Sequence, residues 1–424
     1  MTLVVRGGTV VTPEGMGPAD VVIVDGRVVT LAAAGGADTV GAQVLDAGGL
    51  LVLPGMVDGH VHFQEPGREE WEGFDTGSAA AVAGGVTTVV DMPIDCDPPT
   101  VTAVAVQAKA RAARRHSRVD VAAWGGLTPR STGQLEAMVE AGVVGLKAFA
   151  CPSGWEDFPP VDEPALAAGA AVAARHRLPV AVHCELGDLG RTIASEVAAV
   201  RWAAAVVASR GATLHVVHAS SAEGVDEARR WPGTTIETCP HYLFLQDDPR
   251  PVARCSPPIR DGAHRRTLWD RVLGGAVDWI ASDHSPCPPE FRTGPAPWAG
   301  IDGVGLTLPL LLSCGRLHPE VVARLTTEAA RHLRLGGKGA IAPGYDADIA
   351  LVDTSVVGTI EPAMLWTRHR ASPFVGQPVR ARIEMTLVRG RVAFSAADGP
   401  APAGDARFIR PGPPPAPDRS GPPR

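Results

Sequence analysis

From Leu51 to about residue 340 the chain repeats one pattern: a short β-branched run, then an Ala-rich stretch, at intervals of roughly 30 residues. The expected strands are Val57–His62, Thr87–Met92, Val119–Trp124, Gly145–Phe149, Val180–Cys184, Leu214–His218, Thr235–Thr238 and Trp279–Ser282. Between them, segments such as Gly77–Ala83, Val101–Arg115 and Glu163–Arg175 suit helices, since alanine gives up no side-chain entropy there. Strands separated by helices in this way predict an α/β fold, a (β/α)8 TIM-type barrel. An open doubly wound sheet is the alternative; no Gly-x-Gly-x-x-Gly follows an early strand, which counts against its dinucleotide-binding form.

Both ends of the chain break the pattern. Leu3–Gly7, Ala19–Val24 and Arg27–Leu31 read as short strands, punctuated by Gly7-Gly8 and by Asp25-Gly26, a strong hairpin signal. Strand character returns with a turn and strand over Ile341–Val352 and a hairpin of Arg382–Val388 and Arg391–Phe394 about Arg389-Gly390. Residues 1–50 and 341–395 are therefore expected to close into one small β-sandwich beside a barrel spanning 51–340. A total of 424 residues suits one large domain with such a satellite. Residues 396–424 form a Pro/Gly-rich tail, expected to be disordered after an ordered return over the barrel.

Charge narrows the function classes. A formal net charge of -7 and the lack of a Lys/Arg-rich run argue against nucleic acid or an anionic membrane as partner. No apolar run is long enough for a membrane span, and the first residues show no basic segment leading into an apolar one. The seven cysteines are scattered, with no Cys-x-x-Cys. Reduced thiols and a cytoplasmic location are the expectation.

In a barrel of this kind the active site lies at the C-terminal ends of the strands. His60 and His62 close the first strand, and residues two apart on a strand project to the same side. Two converging imidazoles begin a metal site, or are merely a structural pair. Lys147 lies on the fourth strand, His183 ends the fifth, His218 the sixth and Asp283 the eighth. Each alone has an ordinary explanation: a satisfied histidine, a snorkelling lysine, a helix-capping aspartate. Six such groups at one end of one barrel point to metal chemistry. His215, three residues before His218, is expected to face away.

Longer strings carry a resemblance. His62–Arg68, Trp71–Phe74, Glu237–Tyr242, Cys255–Asp261, Ser282–Glu290, Trp298–Gly303 and Arg368–Gly376 resemble the cyclic-amide branch of the amidohydrolase superfamily. That branch holds dihydroorotases, hydantoinases or dihydropyrimidinases, and allantoinases; the match is closest to the allantoinases. The resemblance implies two divalent metal ions, with zinc the first choice and manganese, cobalt, nickel or iron left open by the ligand types. His60, His62 and Asp283 would hold the more buried ion, and His183 and His218 the other. Lys147, carboxylated by carbon dioxide, would bridge them. Asp283 would also serve as general base and then acid in opening the ring of allantoin to allantoate. Backbone groups at Ser256 and at Ala299 and Gly300 would bind the amide edge of a small cyclic ureide. His241 is either a neighbour of the site or structural. The resemblance also implies a homo-oligomer, a tetramer or dimer.

Three positions separate the branch members. Dihydroorotases place an Arg two residues after the second histidine and an Asn after a Met-Pro pair, where this chain has Gln64 and Ile94. Hydantoinases place a Tyr five residues after the bridging lysine, where this chain has Pro152. Gln64 also departs from the small polar residue usual in allantoinases. Glu185 is followed by Leu186 rather than Asn, and the interval from His183 to His218 is short for the family. A hydantoin or dihydropyrimidine substrate is the alternative reading, and a non-catalytic relative the third.

Overall fold

The computed structural model describes residues 1–413, and its centre is a closed parallel barrel. The barrel strands are, in order, Met56–Val61, Val86–Asp91, Asp120–Ala123 continued by Gly125–Gly126, Leu146–Phe149, Pro179–His183, Thr213–Val216, Thr235–Thr238 and Trp279–Ile280. Every neighbouring pair is parallel. A parallel bridge between Val61 and His284 closes the ring. The sequence-derived strands fall within two residues or so of these bounds at most ends.

The strands are buried on both faces, as parallel barrels require. Alternation sorts their side chains into two cores. Val57, Val90, Ala122, Ala181 and Trp279 fill the barrel interior in one cluster. Val61, Val89, Val121, Val180, Val182 and Ile280 belong to a second cluster shared with the surrounding helices. Trp124 interrupts the third strand. Its indole enters the interior and donates to Gly59 O at 3.1 Å. A Cβ on Gly145 would lie 2.4 Å from that ring, so glycine at 145 makes the space.

The terminal segments make one nine-stranded sheet. Thr2–Thr12 runs through both halves of it. Its first half pairs with Gln43–Asp46 and its second with Leu51–Pro54, with a register shift between Val5 and Gly8. The sheet curls until its hairpins meet: Ala347 N–H donates to Gly26 O, and Gly390 N–H to Ala347 O, each at 2.8 Å. Leu3, Val28, Ile349 and Leu387 share the enclosed core.

The first part of the tail returns over the barrel. Residues 399–413 are ordered against the N-terminal end of the barrel. Val121 N–H donates to Arg407 O, Ile409 N–H to Val121 O and Gly412 N–H to Arg334 O. These bonds satisfy a backbone edge that water would otherwise cover, which is why a Pro-rich segment settles there. The rest of the predicted tail, 414–424, lies outside the described residues. Beneath the barrel, Lys338 Nζ sits 2.6 Å from Asp120, 2.7 Å from Asp348 and 3.0 Å from Asp346, all buried. Arg389 pairs with Asp120 from the sheet. This ionic knot ties barrel, sheet and tail together.

Candidate metal centre

The first strand delivers His60 at its penultimate residue, and His62 follows the strand directly. Their Nε2 atoms lie 3.3 Å apart. Asp283 follows the eighth strand in a left-handed conformation, φ 49°. That turn brings Oδ1 to 3.2 Å from His60 Nε2 and 3.5 Å from His62 Nε2. These ligand atoms all lie within 4.8 Å of one another.

On the other side of the barrel mouth, His183 Nδ1 faces His218 Nε2 at 3.0 Å. The His60 and His218 rings are 5.5 Å apart, so the two groups adjoin. His218 reaches this position by leaving the strand. Strand geometry ends at Val216, and His218 has φ 40°. Strict alternation would have pointed it outward. The same alternation turns His215 inward, which corrects the expectation that it faces away. His215 is stacked between Trp124 and Trp279, with ring centroids at 6.0 and 4.3 Å.

Lys147 lines the same pocket from the fourth strand. It is fully buried, and its Nζ has no hydrogen-bond partner. Burial lowers its pKa to about 8, against partial support from Asp283 and Glu237. Burial likewise holds His183 down, and His218 further, with the Lys147 charge adding to it. Burial works against the His62 proton too, but Asp95 and Asp283 on its two nitrogens raise that group to about 9. Burial pushes the Asp283 carboxyl up, yet the fields of His60 and His62 outweigh it and leave it below its ordinary value.

Three carboxylates behind the histidines were given no role from sequence. Glu237 Oε1 lies 2.5 Å from His60 Nδ1, while Oε2 takes His215 Nε2 at 3.2 Å and Trp279 Nε1 at 2.9 Å. Glu185 Oε2 lies 3.0 Å from His183 Nε2 and accepts from Ser256 Oγ at 2.6 Å. Asp95 Oδ2 lies 2.6 Å from His62 Nδ1. Such partners fix the ring orientation and tautomer of a ligating histidine. A charged residue inside or just past a buried barrel strand was the available signal, and for Glu237 it was a strong one.

The pocket over these groups has a volume of about 540 Å³. All three expected substrate contacts, Ser256, Ala299 and Gly300, line it, as do Ile94 and Pro152. Gln64 turns away, its Nε2 donating to Pro286 O at 2.8 Å. His241 sits beside Asp283 beneath the pocket floor, where neither ring nitrogen has a hydrogen-bond partner and burial lowers it to about 4. A larger cavity, about 870 Å³, lies at the opposite end against the helix Pro319–His332, with no histidine lining it.

The donor set fits a pair of divalent ions. Four imidazoles and a carboxylate converge, and the one group that repels cations, the Lys147 amine, is partnerless, buried and depressed toward neutrality. A neutral amine combines with carbon dioxide, and the carbamate offers two anionic oxygens where the amine offers a poor ligand.

Comparison with known proteins places these observations in context. The profile of the amidohydrolase family matches residues 51–244 and 313–393. An allantoinase of Solibacter usitatus is 43% identical over 92% of this chain and 93% of its own. An allantoinase of Rubrobacter xylanophilus is 39% identical over 96% and 97%. Among solved structures, the L-hydantoinase (dihydropyrimidinase) of Arthrobacter aurescens superposes with a TM-score of 0.90 at 26% identity, covering 96% of this chain and 99% of that one.

Proposed function

The chain belongs to the amidohydrolase family, and from that premise we propose that it hydrolyses the cyclic amide of allantoin to give allantoate. It is a hydrolase of cyclic amides acting on a small molecule. The ring assignment rests on the allantoinase relatives and on three positions, Gln64, Ile94 and Pro152. Gln64 and Ile94 stand where dihydroorotases place an Arg and an Asn, and the Gln64 amide is turned onto Pro286 O, so neither of those two contacts to a dihydroorotate carboxylate is made. Pro152 stands where the hydantoinase tyrosine would reach the carbonyl oxygen.

The observation that carries the chemistry is the orphaned Lys147 amine among four histidines. In this proposal Lys147, once carboxylated, would supply anionic oxygens to two divalent ions, with zinc the first choice. His60, His62 and Asp283 would hold one ion, and His183 and His218 the other. Bound there, the ions supply an acidified water and polarisation of the scissile carbonyl. The chain supplies the rest. Glu237, Glu185 and Asp95 hold three of the histidines in orientation. Backbone groups at Ser256, Ala299 and Gly300 fix the amide edge of the ring. Asp283 takes the proton of the attacking water and returns it to the departing ring nitrogen, so that the ring opens to a carboxylate and a urea-type amine.

The proposal extends to a homotetramer or homodimer in the cytoplasm, with no nucleic-acid or membrane partner. No helix among the described residues is long and apolar enough to cross a membrane. Light scattering on the purified protein tests the assembly. The structural likeness to hydantoinases favours one second reading, the same chemistry on a hydantoin or dihydropyrimidine ring. Ring opening of allantoin by metal-loaded protein, followed against those rings, decides between the two.

A further inference from the structure

Both oxygens of Asp95 are in polar contact, one by a hydrogen bond and one by an ion-pair approach. Oδ2 lies 2.6 Å from His62 Nδ1, and Oδ1 accepts the indole N–H of Trp155 at 2.6 Å. The two partners come from different parts of the mouth. His62 follows the first strand, and Trp155 stands in the loop 150–162 after the fourth. Asp95 itself is buried, in the loop after the second strand, with φ 71°, a backbone state that an aspartate adopts only when its surroundings hold it.

Trp155 is in turn the centre of an aromatic wall. The Arg68 guanidinium lies 3.7 Å over its ring, and Arg68 Nη1 donates to Cys96 O at 3.3 Å. Trp298, which lines the pocket, stands 5.1 Å from the Trp155 ring, and Trp71 6.0 Å. The loop that walls the substrate pocket thus ends, through one carboxylate, on a metal-site histidine.

We propose that Asp95 is a positioning residue that couples the Trp155 loop to the metal centre, holding His62 with its Nε2 turned inward only while Trp155 holds Asp95. This rests on the two-ion reading of the site. A carboxylate with one oxygen accepting from an indole and the other in ion-pair contact with an imidazole of a separate loop has little freedom to rotate. Losing the indole frees Asp95 to turn, and His62 then loses the partner that fixes its tautomer.

The test follows metal release from the purified holoenzyme to a chromogenic chelator, with tryptophan emission recorded throughout, for the unaltered protein, Asp95→Asn and Trp155→Phe. Asparagine tolerates the left-handed backbone, so the first variant retains the loop geometry. Asp95→Asn should release metal roughly 10- to 100-fold faster, the range seen when such outer partners are removed. Trp155→Phe should release it faster by a smaller factor. Metal loss should change the emission of the unaltered protein, and Trp155→Phe should shrink that change to the part carried by Trp279, which reaches the site through Glu237. A residue that merely stabilised the loop would leave Trp155 emission blind to metal. Unaltered release rates in both variants, or an emission change undiminished without Trp155, would overturn the coupling while leaving the metal centre standing. Unaltered protein that binds no metal would overturn both.

Discussion

Glu237 of the seventh barrel strand backs His60 of the first, 2.5 Å from its Nδ1, and the same carboxylate holds His215 and Trp279 in the barrel interior. The histidine cluster is thereby built on the packed centre of the barrel rather than on its loops alone. Burial pushes the Glu237 carboxyl up, but His60 and His215 outweigh it and hold it far below the ordinary range, so it stays ionised. Glu237→Gln keeps the shape and removes the charge. We expect metal affinity to fall by about 10- to 100-fold, measured by competition with a chelator of known affinity.

Lys147→Ala should lose bound metal and activity together, with partial recovery on adding a short-chain carboxylate to replace the carbamate oxygens. The amine titrates near 8 in the metal-free protein, and only its neutral form attacks carbon dioxide. Reactivation of metal-stripped protein by bicarbonate and zinc should therefore speed up as pH rises toward that value. A rate flat across it, or mass spectrometry of active protein showing an unmodified lysine, would contradict the bridge.

Gly300 N–H donates to Arg254 O at 2.8 Å, and a Cβ on Gly300 would lie 1.8 Å from Ser285 O. Gly300→Ala must therefore move the loop that carries two of the expected substrate contacts. We expect a raised KM with metal content unchanged, read from steady-state kinetics and elemental analysis. Equal loss of metal would mean that the loop supports the centre itself.

At the other end of the barrel, Lys338→Met should destabilise the protein by about 3 to 5 kcal/mol, because it strands the carboxylates of Asp120, Asp346 and Asp348. Burial raises the Asp120 carboxyl, but Lys338 and Arg389 prevail and hold it below 3.8. The unfolded chain therefore binds the Asp120 proton more readily. Its contribution is present above 3.8 and is lost as pH falls through the lower folded value. Asp348, raised by burial, acts in the opposite sense and protonates first. Denaturation midpoints across acidic pH should show the Asp120 loss in the unaltered protein and not in Asp120→Asn.

What the sequence makes legible here follows periodicity. The barrel strands announce themselves because Val, Ile and Ala must fill both faces of a parallel sheet, and the terminal hairpins because Asp25-Gly26 and Arg389-Gly390 turn tightly. The residues that gather at the barrel mouth could be named because they lie on or just past successive strands. His215 and His218 were assigned to the wrong and right faces for the same reason: alternation fails once His218 takes φ 40°, and no composition signal marks that turn. Glu237, Glu185 and Asp95 escaped because each is explained only by its partner. The partner of Glu237 is 177 residues away in sequence, and sequence distance conceals such pairs. For the tail over 399–413 a return over the barrel was legible but its partners were not, because backbone bonds to a strand edge carry no side-chain pattern.

The most direct measurement is ring opening by metal-loaded protein on four substrates side by side: allantoin, hydantoin, dihydrouracil and dihydroorotate. The expected result is fast turnover of allantoin, slow or no turnover of the other three, and loss of activity on metal removal. Preference for hydantoin or dihydrouracil would contradict the ring assignment while leaving the metal chemistry intact. Undiminished turnover by fully metal-free protein would contradict the central claim.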